Sequence, residues 1–170
     1  MNTQSKEYSI HLENESQDAA IEQLSANAFG PGRFAKSAFR LREGVTHEAG
    51  LSFVALVGDE IIGSVRQTRI MIDGLEALVL GPLVVVPGVK SRGIGAALME
   101  RSMEAAKAGT HALVILVGDE PYYARFGFSQ VPRGQINLPG PADPARILCC
   151  ELVPGSLQKY HGTAERIIGN

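Results

Sequence analysis

The chain has 170 residues, 45% of them hydrophobic and 20% charged, with a formal net charge of -2. That length and apolar content suit a single domain over residues 1–170 with an adequate core, and the near-neutral balance argues against a nucleic-acid partner, which requires a concentrated basic face. No apolar run approaches the ~20 residues that span a bilayer, and Met1 to Glu7 is polar with no apolar signal core, so no membrane partner and a cytoplasmic location are expected.

In chain order, Tyr8 to Leu12 reads as a first strand. A helix follows from about Gln17 to Ala28, where Ala20, Ile21, Leu24 and Ala28 recur at helical spacing. Arg33 to Arg42 reads as a second helix, bounded by Pro31-Gly32 before it and Gly44 after it. Leu51 to Val57, the turn Gly58-Asp59-Glu60 and Ile61 to Ile72 make a hairpin. Asp73-Gly74 turns the chain again into a strand from Ala77 to Val86, whose internal Gly81-Pro82 pair predicts a bulge or a splay. A helix from Gly93 to a stop at Gly109 leads to a buried strand, His111 to Val117. A short helix near Pro121 to Arg125 and late strands near Phe128 to Val131 and Arg146 to Leu152 complete the pattern. The resulting class is α/β: a mixed, mostly antiparallel sheet flanked by helices, with one β-α-β crossover.

The crossover carries the strongest chemical signal, Leu83-Val84-Val85-Val86-Pro87-Gly88-Val89-Lys90-Ser91-Arg92-Gly93-Ile94-Gly95-Ala96. Pro87 lacks a ladder donor and ends the strand. The first helical turn then leaves backbone N–H groups without intrahelical partners at the positive end of the helix dipole. Gly93 and Gly95 let a bulky anion approach, and Lys90 and Arg92, flanking a glycine turn, read better as phosphate ligands than as solvated surface charges. A P-loop fails on spacing, because Ile94-Gly95 stands where Lys-Ser/Thr is required. A dinucleotide fingerprint matches only as Gly93-Ile94-Gly95, with Leu98 in place of the third glycine and hairpin strands ahead of the turn. A coenzyme A pyrophosphate is the third anion that suits such a loop.

The pattern Leu-x-Val-x-Pro, two residues, a basic residue, x-x-Gly-x-Gly resembles the acetyl-CoA-binding motif of the GNAT superfamily of N-acetyltransferases. A second segment, Gly118-Asp119-Glu120-Pro121-Tyr122-Tyr123-Ala124-Arg125-Phe126-Gly127-Phe128, resembles the family's Tyr-x-x-x-Gly-Phe signature, with Tyr123 four residues before Gly127. With Leu80-Gly81-Pro82-Leu83, this form is similar to a bacterial subgroup of largely unassigned acetyltransferases. Lysine at position 90, where many members have Gln or Arg, and Gly88, where many have Glu, are departures from the pattern.

The resemblance implies acetyl transfer from acetyl-CoA to an amine by direct attack in a ternary complex. Leu83, Val84, Val85, Val86, Lys90, Ser91, Arg92, Gly93, Ile94, Gly95 and Ala96 would hold the donor, and Tyr123 would protonate the departing thiolate. Amides near Val84 to Val86, left free where strands splay, would serve the pantetheine arm and the oxyanion. The acceptor would be a small-molecule or peptide amine, recognised by Phe29 to Gly44 and the loops around Arg133 to Asp143; homodimers are common in the superfamily. A coenzyme-A-binding regulatory module and a nucleotide-dependent oxidoreductase are the competing classes. Asp119 and Glu120 are the nearest carboxylates for deprotonating an amine, although Asp119 reads first as a helix cap, and His47 and His111 are candidate bases on chemistry alone. Cys149 and Cys150 read as buried free thiols in a strand, and the absence of a Cys/His cluster predicts no metal.

Overall fold

The computed structural model describes residues 7–32 and 36–168, without the side chains of residues 90–92. Among the described residues nine strands form: β1 (Ser9–Leu12), β2 (Phe53–Val57), β3 (Glu60–Ile72), β4 (Leu75–Val85), β5 (Leu113–Val117), β6 (Ser129–Gln130), β7 (Ile136–Asn137), β8 (Ile147–Glu151) and β9 (Gly162–Arg166). The helices are α1 (Asp18–Phe29), α2 (Ser37–Arg40), α3 (Ile94–Ala108) and α4 (Glu120–Tyr123). Strands follow the order β1-β2-β3-β4-β5-β8-β6, with β9 pairing to the far end of β3 and to β7. Within the main path only β4 and β5 run parallel, joined by α3. A doubly wound nucleotide fold needs a mainly parallel sheet, so the oxidoreductase alternative loses its scaffold.

The apolar runs reflect a sheet buried on both faces. Leu78 and Leu80 of β4, Val114 and Leu116 of β5 and Leu148 of β8 pack under α3. Their alternate neighbours Ala77, Val79, Leu113, Ile115, Ile147 and Cys149 enter a second cluster with Leu41, Val131, Ile136 and Tyr160. Helix α3 meets the first cluster through Ile94, Leu98, Met99, Met103 and Ala106. It approaches β3 so closely that a Cβ on Gly63 would lie 3.0 Å from Leu98 Cδ1.

Two expectations need correction, and two strands were not anticipated. The helix expected over Arg33 to Arg42 is only the single turn α2, and the part of that reading at Arg33 to Ala35 lies outside the described residues. Helix α1 buries only Ile21 and Ser25, one i, i+4 stripe, while Ala20 and Ala28 stay exposed. Residues 87–92, read as a turn ahead of the helix, do form 3-10 turns before α3. Strands β7 and β9 had no sequence signal: Gly-Thr-Ala-Glu-Arg buries only Ala164, and its strand state comes from pairing with β3 and β7.

Gly81-Pro82 does produce a bulge. Val65 opposes Leu83 and Gln67 opposes Leu80, so two β4 residues face the single Arg66; the intervening peptide is cis. Beyond Val79, β4 has no further pairing with β5. A bulge bends the strand that carries it, and here the two parallel strands diverge from that point.

Candidate active site

The divergence opens a cleft of about 750 Å³, lined on one side by Leu80 to Leu83 and on the other by Leu116 to Asp119, with Tyr122 and Tyr123 beside them. Which β4 amides face this gap follows from the pairing to β3. Val86 donates its N–H to the Ile62 carbonyl at 2.9 Å. Alternation along an antiparallel ladder makes Ser64–Val84 the next hydrogen-bonded pair and turns the N–H groups of Leu83 and Val85 away from β3, towards β5. The expectation of free amides from Val84 to Val86 is therefore corrected: Val84 and Val86 are committed to β3, and Leu83 and Val85 face the gap. Val84 is buried, whereas Leu83 and Val85 are half-buried.

The glycine turn lies outside the cleft lining and is joined to it through Tyr122, which lines the cleft and reaches Gly95. Gly93 caps the helix with φ 76°, a left-handed conformation that favours glycine, and a Cβ there would meet nothing within 4 Å. The first bond of this segment runs from Ala97 N–H to the Gly93 carbonyl at 3.0 Å. The N–H groups of Ile94, Gly95 and Ala96 precede it and lie in the first turn, where no helical carbonyl is available. The predicted roles of the Lys90, Ser91 and Arg92 side chains lie outside the described residues.

The two adjacent tyrosines go to different places. A Cβ on Gly95 would lie 3.0 Å from the Tyr122 hydroxyl, so Tyr122 reaches across to the start of α3. The Tyr123 ring is seated on Gly118 at the end of β5, where a Cβ would come within 2.3 Å of its Cε2 atom. Tyr123 also packs on the α3-side core and edge-on to Phe128. Its hydroxyl has no hydrogen-bond partner among the described residues. Burial, with help from Tyr122 and Asp119 and against the opposing charge of Arg146, pushes its pKa above the ordinary tyrosine value.

Asp119 occupies the N-cap position of α4, and its carbonyl accepts from the N–H groups of Tyr122 and Tyr123. Its carboxylate makes no side-chain cap and instead lies 3.4 Å from Arg146 Nε. Glu120 accepts from the Gln130 N–H at 2.7 Å. Of the two candidate histidine bases, His47 lines the cleft, and its Nε2 lies 3.0 Å from the buried Glu13 carboxylate. His111 stands outside the cleft lining, its ring against Gly109 at the end of α3. Cys149 and Cys150 are free thiols in β8; burial pushes Cys149 up to about 11. No group of three or more metal-ligating side chains occurs among the described residues.

In the wall of the cleft, Arg66 collects three carboxylates that no sequence spacing relates to it. It bonds Glu13 through Nε and Nη2, Asp18 at 2.9 Å and Glu22 at 3.0 Å. Burial resists ionisation of Glu13, but hydrogen bonds from His47 and Arg66 outweigh it and hold the carboxyl below its ordinary 4.5. Arg66→Met, which strands Glu13 without its cation, should cost about 3–5 kcal/mol in urea unfolding at neutral pH. Because the folded-state value of Glu13 is the lower one, its contribution is present above the ordinary carboxyl range and is lost as pH falls through the folded-state value. The gap between the wild type and Arg66→Met should therefore narrow in acid.

Another wall of the cleft is lined by Phe29, Ser37, Phe39, Arg42 and Glu43 from the segment expected to recognise substrate, and by Pro141, Ala142 and Asp143. Arg133 instead lines a separate, smaller pocket.

A family model described as an acetyltransferase (GNAT) domain matches residues 48–130. No curated protein matches the sequence. Among solved structures, a GNAT family N-acetyltransferase (YhbS) from Escherichia coli in complex with CoA is 21% identical with a TM-score of 0.80, over 98% of this chain and 93% of the other. A GNAT family acetyltransferase from Brucella melitensis in complex with acetyl-CoA is 25% identical with a TM-score of 0.68, over 95% and 97%. Arabidopsis thaliana Naa50, in complex with the bisubstrate analogue CoA-Ac-MVNAL, is 14% identical with a TM-score of 0.58, over 84% and 97%.

Proposed function

We propose that this GNAT-superfamily chain, whose residues 48–130 match the acetyltransferase domain model, transfers an acetyl group from acetyl-CoA to an amine of a small molecule or peptide. The observation that carries this reading is the splay between β4 and β5, where the Leu83 and Val85 N–H groups turn away from β3 beside a cleft lined by Leu83 and Tyr123. Acetyl-CoA fits that setting on this chain's own features: strand amides for its arm, and the first-turn amides at Ile94, Gly95 and Ala96 for its pyrophosphate. When bound it supplies an activated thioester.

The residues divide the remaining work. Leu83 and Val85 present donors to the acyl oxygen as negative charge develops on it, and strand amides need no reorganisation to do so. Tyr123 holds a proton for the departing sulfur: its ordinary pKa of about 10 already exceeds the ~8.5 of a thiol, and burial raises it further. In this reading His47 takes the amine proton. With Nε2–H directed to Glu13, its Nδ1 is left as the accepting nitrogen, the relation by which a carboxylate orients a catalytic histidine. His47→Gln should slow amine turnover while leaving coenzyme A affinity intact.

Calorimetry tests the donor half. Saturable binding of acetyl-CoA to the folded protein is expected, and no binding of acetyl-CoA or CoA would overturn the reading. Binding without turnover on any amine would favour a regulatory module instead.

A further inference from the structure

The acceptor side of the cleft contains a cation to which the transfer chemistry gives no task. Arg42, just after α2, is half-buried in the lining. Its Nε donates to the Ala38 carbonyl at 3.2 Å, and its guanidinium carbon stands 5.8 Å from the centre of the Phe39 ring. Among the described residues no carboxylate lies within ion-pair distance of it. Glu22, the acid whose charge acts on it, is bonded to Arg66, which also holds Glu13 and Asp18. Burial lowers Arg42 to about 10, opposed by Glu22 and reinforced by Arg66, so the group stays charged at neutral pH in a partly dehydrated place. Lys36, 4.9 Å above the Phe29 ring, adds a second positive charge to the same lining.

A guanidinium whose terminal N–H groups lack an acid partner matches a carboxylate in shape as well as charge. We propose that Arg42 anchors a carboxylate of the acceptor, so that the substrate is an amino-acid-like amine rather than a plain alkylamine or an amide. The inference rests on the acetyl-transfer reading and adds the second functional group of the substrate. A free amine reacting at the Tyr123 end while an anion is held at the Arg42 end also gives the acceptor a defined direction in the cleft.

The test uses product-like probes, so that it reads binding apart from turnover. N-acetylglycine, N-acetylleucine, N-acetylphenylalanine, N-acetylglutamate, the corresponding carboxamides and N-acetylated phosphoethanolamine are titrated calorimetrically into the protein, with and without CoA. At least one acid should bind about 10- to 100-fold more tightly than its own amide. Arg42→Gln should erase that difference, Arg42→Lys should keep part of it, and CoA affinity should stay unchanged in both. Acid and amide binding alike in the wild type would overturn the proposal. So would equal weakening of both by Arg42→Gln, the pattern of a residue that only balances Glu22, or an Arg42-dependent preference for the phosphate probe alone. Failure of the acetyl-transfer reading is separate and shows as wild-type protein that binds no CoA or acetylates no amine.

Discussion

Tyr123→Phe lowers kcat by about 100- to 10,000-fold, the usual worth of a positioned general acid, and leaves acetyl-CoA affinity nearly unchanged. The ring makes the packing contacts, on Gly118, Phe128 and the core beneath α3, and phenylalanine keeps all of them. What is removed is a hydroxyl with no hydrogen-bond partner among the described residues, so folding stability should hardly move. Burial raises the pKa of Tyr123 above its ordinary 10.0, so the donor stays protonated through neutral and mildly alkaline pH. No loss of rate from this group is expected until pH exceeds the ordinary tyrosine value. Stopped assays at saturating acetyl-CoA, with Tyr122→Phe in parallel, separate the two rings. Because the Tyr122 hydroxyl lies at Gly95 in the first turn of α3, the proposed pyrophosphate site, its loss should appear in acetyl-CoA affinity, and an unchanged kcat in Tyr123→Phe would remove the proposed proton donor.

Gly118→Ala is expected to be nearly as damaging, although the added methyl is the smallest possible change. The new Cβ would sit 2.3 Å from Tyr123 Cε2, 2.9 Å from its Cδ2 and 3.1 Å from Leu116 Cδ1, so the ring must leave its seat. Displacement of a reacting group by about 1 Å can cost on the order of 100-fold. Gly118 N–H donates to the Arg146 carbonyl at 2.9 Å, a bond that alanine preserves, so the strand end itself should hold. The double variant Gly118→Ala/Tyr123→Phe makes the argument specific. If Gly118 acts by seating the hydroxyl, the second substitution adds little to the first, because both remove the same function. Losses that multiply would mean that Gly118 acts elsewhere.

Local chemistry made parts of this site readable in the sequence. Gly93 announces itself because a helix N-cap at φ 76° favours glycine, and Gly81-Pro82 because neither residue suits a regular central ladder. The runs at β4 and β5 read as buried because both faces of those strands are covered. Where the reading failed, the missing information lay in another part of the chain. The parity of the β4 amides depends on the Val86 to Ile62 bond, which shifts the free donors to Leu83 and Val85. Glu13 and Arg66 are 53 residues apart, and only the fold makes them a buried pair that orients His47. Nothing in the surrounding sequence marks Arg42 as a cation without an acid. The seat for Tyr123 was visible only as the first letter of a motif, since a glycine's reason for being small is the neighbour it admits.

The most direct measurement is paired: thiol released from acetyl-CoA and acetylated amine formed, followed together over a panel of amino acids, short peptides, polyamines and aminoglycosides. Equal amounts of the two products are expected for at least one acceptor, with no release above background without an amine and near-complete loss of both in Tyr123→Phe. Thiol release that ignores the amine, or bound acetyl-CoA with no acetylated acceptor anywhere in the panel, would contradict it.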